Sequence, residues 1–383
     1  MRELAQRLHG LGTTIFAEMS ALAVRTGSVN LGQGFPDTDG PASVLDDAVA
    51  AIRSGANQYP PGRGIPALRQ AVADHQRRFY GIELDPDTQV LVTTGATEAI
   101  AAALLAYVEP GDEVIALEPY YDSYAACIAM AGGRRVPVTL RAPDFRLDLD
   151  ELRSAVTDRT TVLLINSPHN PTGTVLTDSE LRAIAAVAVE HDLVVITDEV
   201  YEHLVFDGAR HRPLTTYDGM AERTVSISSA GKTFSVTGWK IGWVTGAPEV
   251  VTSVNTAKQF LTYVSGAPFQ PAVAGALALG NDYFDGLRGT LQAKRDRLCD
   301  GLADVGFGVI KPQGTYFVTT DVRPLGWDDG VEFCRMLPER TGVVAIPHQV
   351  FYDNVEVGRP LVRWAFCKQD HVIDEALDRL TKL

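Results

Sequence analysis

Lys232 is the residue of this chain with the most chemistry to offer. It lies in Ser228-Ser-Ala-Gly-Lys-Thr-Phe-Ser-Val-Thr-Gly-Trp-Lys-Ile-Gly-Trp243, and a second lysine, Lys240, follows eight residues later. A lysine amine condenses with an aldehyde to a Schiff base only where its surroundings tolerate the neutral form. Small neighbours let a flat ring approach the backbone, and hydroxyls beside a second cation suit a phosphate. A surface Lys-Thr pair carries the same letters, so the companions of Lys232 decide the reading.

Two companions come from upstream. Val162-Leu-Leu-Ile-Asn-Ser-Pro-His-Asn-Pro-Thr-Gly173 and Leu193-Val-Val-Ile-Thr-Asp-Glu-Val-Tyr201 each join an apolar run to a polar segment. Aliphatic runs of this kind, bounded by turn residues, read as buried parallel strands. Ligands of such sheets bind beyond the carboxyl ends of the strands, where Asn170, Asp198 and Tyr201 would sit. An aspartate at the end of a buried strand needs a cation. A protonated pyridine nitrogen would serve, and the pairing would keep that ring an electron sink. Asn170 and Tyr201 can both hydrogen-bond a ring oxygen. The bland readings are a helix N-cap for Asp198 and a plain Asn-Pro turn for Asn170. A third segment, Val90-Leu-Val-Thr-Thr-Gly-Ala-Thr-Glu-Ala-Ile100, reads as strand, glycine turn and helix. It aims free N–H groups, those of Ala96 and Thr97, at an anion, although a turn without a ligand looks the same. Glu118-Pro-Tyr-Tyr-Asp122 adds an aromatic, Tyr121, able to stack on a flat heterocycle.

The elements that must hold these residues follow an α/β pattern. Strands alternate with helices from Val90 to about Gly246, as in a doubly wound sheet. Pro66 opens a helix to about Tyr80, and Thr177 to Glu180 forms a capping box ahead of Leu181. The first forty residues, rich in Gly and Pro, are expected to wander over a surface. After Pro271 a long helix is expected from Ala272 to about Asp304. Mixed strand and helix follow, including Gly314-Thr-Tyr-Phe-Val318 and Leu361-Val-Arg-Trp-Ala-Phe366.

Together these segments resemble the class I, fold-type I aminotransferases that depend on pyridoxal 5′-phosphate. Asn30-Leu-Gly-Gln-Gly-Phe-Pro-Asp37, Asn57-Gln-Tyr59, His169-Asn-Pro-Thr-Gly173, Asp198-Glu-Val-Tyr201, Gly231-Lys-Thr-Phe234 and Val362-Arg-Trp364 carry the resemblance. It runs from about Asn30 to Lys368, with the family's order and spacing. The resemblance implies a large, doubly wound, mostly parallel sheet domain and a smaller α+β domain formed by both termini. The divisions are 1–40 (arm and part of the small domain), 41–275 (large domain) and 276–383 (small domain). It further implies that Lys232 forms the Schiff base and shuttles the proton between Cα and the cofactor. Asp198 would pair with the pyridine nitrogen, and Tyr201 and Asn170 would contact the ring oxygen. Tyr121 would stack on the ring. Ser229, Lys240, Ala96 and Thr97 would hold the phosphate, with Tyr59 reaching it from a neighbouring subunit. Arg363 would clamp the substrate α-carboxylate, with Asn170 beside it and Gly34 leaving room for the substrate backbone. The implied reaction is a ping-pong transamination between an amino acid and a 2-oxo acid, and the implied assembly is a homodimer.

The segments look most like the branch of kynurenine, glutamine and methionine aminotransferases, which also holds actinobacterial N-succinyldiaminopimelate aminotransferases. Phe260-Leu-Thr-Tyr-Val-Ser-Gly-Ala-Pro268 resembles the last of these, and the small Ser265-Gly266 suits a long acylated side chain. Arg63 is a candidate cation for a distal carboxylate. The expected donor is N-succinyl-LL-diaminopimelate, which would place the protein in lysine and cell-wall biosynthesis. The alternatives are transamination of kynurenine, glutamine or methionine, a cysteine-conjugate β-lyase using the same residues, and a regulatory protein that kept the fold without turnover.

Composition bounds these expectations. The chain has 383 residues, 45% of them hydrophobic, and a net charge of −14. That supports a large core and opposes a nucleic-acid surface. The motifs begin near residue 30, so no N-terminal DNA-binding domain is expected. Cys127, Cys299, Cys334 and Cys367 are far apart and read as reduced buried thiols. No HExxH or HxH spacing supports a metal site, and His203 reads as a packing or surface residue. Gly62-Arg-Gly-Ile-Pro-Ala67 matches a dinucleotide fingerprint by letters but follows no strand. The first ten residues lack a signal-peptide core, and no apolar run could span a bilayer. The expectation is a soluble cytoplasmic protein.

Overall fold

The computed structural model describes residues 4–9 and 15–383. The arm expected over 1–40, and the stretch read for a signal peptide, therefore lie partly outside the described residues. Strand β1 (Val29–Asn30) precedes the main sheet. That sheet comprises β2 (Val90–Thr93), β3 (Glu113–Glu118), β4 (Arg134–Thr139), β5 (Thr160–Asn166), β6 (Val194–Asp198), β7 (Thr224–Ser229) and β8 (Gly242–Thr245). Its seven strands lie in the order β2-β8-β7-β6-β5-β3-β4. Strands β3 to β7 pair in parallel, and β8 alone runs antiparallel between β7 and β2. The aliphatic runs are buried on both faces because helices cover both sides. The fold is α/β, a mostly parallel sheet with helices on both faces, as expected.

The helices start where their sequences direct. α1 (Ile15–Thr26) and α2 (Ala42–Arg53) precede α3 (Pro66–Tyr80), which has Pro66 at its first position. α4 (Gly95–Tyr107) follows β2 directly, and α5 (Asp122–Ala131) follows β3. In the helix Asp178–Glu190 both arms of the Thr177–Glu180 capping box form.

The C-terminal third adds β9 (Gly308–Ile310), β10 (Phe317–Asp321), β11 (Val343–Val344), β12 (Ile346–Pro347) and β13 (Leu361–Ala365). Strands β12-β13-β10-β9 form an antiparallel sheet, and β1 pairs with β11. One core joins Met19, Leu22 and Leu31 to Leu298, Val318, Trp364 and Ile373, so both ends of the chain share it.

Three expectations are corrected. The early segment is not all surface coil: α1 buries Met19, Leu22 and Ala23. Its apolar residues fall on one helical face, a pattern the Gly/Pro count hid. The long helix after Pro271 is two helices, Phe269–Leu277 and Asn281–Val305. Gly280 breaks it by taking an extended ψ of 163° as the N-cap of the second. The strand expected from Gly314 begins only at Phe317. Gly314 and Thr315 instead donate to the Gly173 and Leu204 carbonyls, and Thr315 has a φ of +68°.

Candidate functional site

A cavity of about 530 Å³ opens at the carboxyl ends of β5, β6 and β7. It gathers Gly34, Ala96, Thr97, Tyr121, Asn170, Asp198, Tyr201, Ser229, Lys232, Lys240 and Arg363 from seven stretches of chain. Strand register explains part of this. Asn166 and Asp198 are paired neighbours at the ends of β5 and β6, and Ser229 closes β7. Asn166 then donates to the Asp198 carbonyl (2.8 Å) and accepts from the Asn170 amide (2.7 Å), which fixes one loop on the next.

Lys232 lies on the short helix Ala230–Thr233. Its amine has no hydrogen-bond or ion-pair partner among the described residues. It sits 5.7 Å from the Tyr201 ring centroid and 5.6 Å from that of Tyr316. Burial pushes its pKa down to about 8. Asp198 is buried, with no ion pair among the described residues. It accepts from the Tyr124 hydroxyl at 2.5 Å and the Val200 amide at 3.3 Å. Burial raises its pKa, and the Tyr124 hydrogen bond opposes that rise.

Arg363, on β13, is buried as well. It donates from Nη1 to Asn170 Oδ1 (3.0 Å) and from Nη2 to the Gly32 carbonyl (2.9 Å), while Nε is left without a partner. Its guanidinium lies 4.0 Å from the Phe317 ring centroid and 5.1 Å from that of Phe351. Burial pulls its pKa down to about 10. A buried guanidinium with a free N–H and no carboxylate is an unmet demand for an anion.

The start of α4 is built for a second anion. Its first-turn amides have no intrahelical partners. Gly95 takes a φ of +73°, and a Cβ there would lie 3.2 Å from Lys240 Nζ. Lys240 itself adopts a φ of +55°, uncommon for a side-chain residue, and so brings its amine over the helix end. The expected pyridoxal phosphate fits this donor set. An unpartnered amine, a buried carboxylate without a cation and an N–H cradle beside a lysine match its aldehyde, ring nitrogen and phosphate.

Some candidates lie elsewhere. Tyr59 is 81% exposed and packs edge-on against Tyr263, outside the cavity. Arg63 also stays outside, because its guanidinium binds the Asp87 and Thr88 carbonyls and the Thr252 hydroxyl. Ser265 and Gly266 do not line this chain's cavity, and Ser265 accepts from Gln270 instead. Gly34 lines the cavity, but the close neighbour that demands a glycine is Phe317. A Cβ at Gly34 would meet that ring at 2.4 Å.

Sequence reasoning missed Tyr124, Asn166 and Tyr316, whose hydroxyl donates to the Gly34 carbonyl at 2.6 Å. Asn166 carried a signal, as the polar residue that ends a buried strand. Tyr124 carried a weaker one, three residues beyond Tyr121 on the same helical face.

His203 is packed rather than exposed. With His75 and Glu202 it forms a buried cluster whose ligand-type atoms lie within 4.8 Å of one another. No spacing rule would find it, since His75 comes from α3. Its atoms already serve one another and their neighbours. The two imidazoles meet at 2.7 Å, and Glu202 accepts from Tyr80 (2.7 Å) and Ser228 (2.5 Å).

Comparison with known proteins matches residues 26–380 to the family described as aminotransferase class I and II. A probable N-succinyldiaminopimelate aminotransferase of Mycobacterium tuberculosis is 58% identical over 98% of both chains. The solved structure of the N-succinyldiaminopimelate aminotransferase from that organism superposes with a TM-score of 0.97, covering 99% of both chains. A methionine aminotransferase of Escherichia coli is 38% identical over 98% of this chain and 97% of its own.

Proposed function

Because the chain belongs to the class I and II aminotransferase family, we propose that its amino donor is N-succinyl-LL-diaminopimelate and its acceptor 2-oxoglutarate. The near-full-length similarity to the mycobacterial enzyme carries this reading. The cavity agrees with it. Its lining also includes Gln33, Phe35 and Phe16, and its volume of about 530 Å³ is compatible with a long side chain. The methionine-type donor is the second reading, favoured by the aromatic Phe16 and Phe35.

Pyridoxal phosphate, the family's cofactor, supplies an aldehyde carbon that takes up the amino group and a ring that withdraws electrons from the substrate Cα. In our reading the chain's residues act as follows. Lys232 would anchor the cofactor and, when freed, would take a proton from the substrate Cα and deliver it across the nitrogen to the carbon that came from the aldehyde. Its lowered pKa keeps a useful share of the amine neutral. Asp198 pairs with the ring nitrogen, Asn170 and Tyr201 hold the ring oxygen, and Tyr121 covers the ring face. Ser229, Lys240 and the amides of Ala96 and Thr97 hold the phosphate. Arg363 receives the α-carboxylate as a two-pronged donor, with Asn170 beside it and Gly34 below.

We take the assembly as a cytoplasmic homodimer, since Tyr59 faces outward where a second copy could receive it. The chain would divide into an arm with part of a small domain (1–40), a large domain (41–275) and a small domain (276–383). The core shared by both termini supports this division.

A donor screen tests the reading. The holoenzyme is given 2-oxoglutarate with N-succinyl-LL-diaminopimelate, kynurenine, glutamine or methionine, and glutamate is measured. Preference for the succinylated donor is expected. Equal or faster turnover of methionine or kynurenine overturns the donor assignment. Pyruvate and ammonia from cysteine conjugates, without glutamate, would mean a β-lyase.

A further inference from the structure

Asp198 receives one hydrogen bond that none of these roles uses. The Tyr124 hydroxyl donates to its Oδ2 at 2.5 Å, while among the described residues Oδ1 meets the Val200 amide alone, at 3.3 Å. Tyr124 is buried on α5, and its ring stands edge-on to Tyr121 at 5.8 Å between centroids. Tyr121 is the N-cap of that helix and Tyr124 its third residue, so both lie on one face. One rigid helix start therefore places the side chain that lines the cavity and the donor that grips the carboxylate.

We propose that Tyr124 is a positioning residue for Asp198. By holding Oδ2 it keeps the carboxylate ionised and turned to the cavity, so that a protonated ring nitrogen stays bound there. This rests on the reading of Asp198 given above.

The physical need is plain. Burial alone favours the neutral acid, which could not hold a pyridinium, and a hydrogen bond to the charged form counters it. Tyr124 cannot easily give up its proton. Burial, then the Asp198 charge, push its pKa well above the usual phenol value, so it remains a donor. The other groups acting on Asp198 are Lys232 from the short helix after β7 and Glu199 from its own loop. Tyr201 and Tyr121 act on Tyr124. None of these four donates to Oδ2.

The experiment is Tyr124→Phe in the holoenzyme, reconstituted with pyridoxal phosphate labelled with 15N in its ring. The ring-nitrogen NMR signal is expected to move from a pyridinium-type toward a pyridine-type position. kcat/KM should fall about tenfold to a hundredfold, as for loss of a hydrogen bond to a charged group, with the donor KM little changed. An unmoved nitrogen signal overturns the proposal, whatever the rate does, because it leaves Tyr124 a packing role.

Asp198→Asn separates this inference from the reading beneath it. If only Asp198→Asn moves the signal, the Tyr124 proposal falls alone. If neither variant moves it, the assignment of Asp198 falls as well. Should the Phe variant not fold, 3-fluorotyrosine installed at position 124 replaces it. The stronger donor is expected to shift the signal further toward pyridinium, and no movement overturns the proposal.

Discussion

At Lys232, burial works against charge. In the cofactor-free protein its pKa falls to about 8 from an ordinary 10.5. Between those values the unfolded chain holds more protons than the folded one. The cost of burying this amine is therefore full below about pH 8 and fades as pH climbs to 10.5. Lys232→Met should stabilise the cofactor-free protein, by on the order of 3 kcal/mol near pH 7 and by almost nothing near pH 10.5. Urea unfolding at several pH values measures this, and a pH-independent difference would refute the low pKa. Arg363→Lys should keep the charge yet lose the fork. We expect kcat/KM to fall about tenfold to a hundredfold, mostly through KM, in steady-state kinetics. Lys232, Asp198 and Arg363 were legible because each sits in or beside a short, distinctive run. Tyr124 was legible only as a neighbour of Tyr121 on one helical face; its bond to Asp198, 74 residues away, was not.

Between elements, one close backbone approach is where β8 passes the start of α4. A Cβ on Gly242 would lie 2.6 Å from the Gly95 carbonyl carbon and 2.9 Å from the Ala96 nitrogen, backbone atoms that cannot turn aside. Gly242→Ala should push the cradle amides out of line. The expected cost is about 1–3 kcal/mol of stability, together with weaker cofactor binding, read by equilibrium dialysis. Gly62→Ala, with nothing within 4 Å of its Cβ, is the control and should change neither measurably. Strands and caps were readable at this scale because burial and hydrogen bonding there are local. The break at Gly280 was visible as a letter. Its force was not, because glycine is tolerated in many helices and packing decides which ones stop.

For the whole molecule, the sequence conveyed the α/β class and the order of its parts. The resemblance implied a small domain drawn from both ends of the chain; what the sequence did not convey is that a helix, α1, packs there against the C-terminal elements. The proposed two-fold assembly makes its own prediction. Dilution through the dimer's dissociation range should lower specific activity, and Tyr59→Phe should weaken cofactor binding in the associated form. Sedimentation with parallel assays checks both, and activity unchanged on dissociation would remove Tyr59 from the site. One feature reaches further. The segment 31–37 forms one cavity wall and is tied down by late residues: Leu31 and Phe35 offer carbonyls to Ala365 and Lys368, and Asp37 accepts from the Gln369 amide. Arg363 belongs to the same late stretch. During translation, the proposed cradle for the phosphate leaves the ribosome long before the guanidinium that would grip a substrate. A message truncated near its end would thus encode a chain that keeps its cofactor-facing residues and has nothing with which to hold an amino acid.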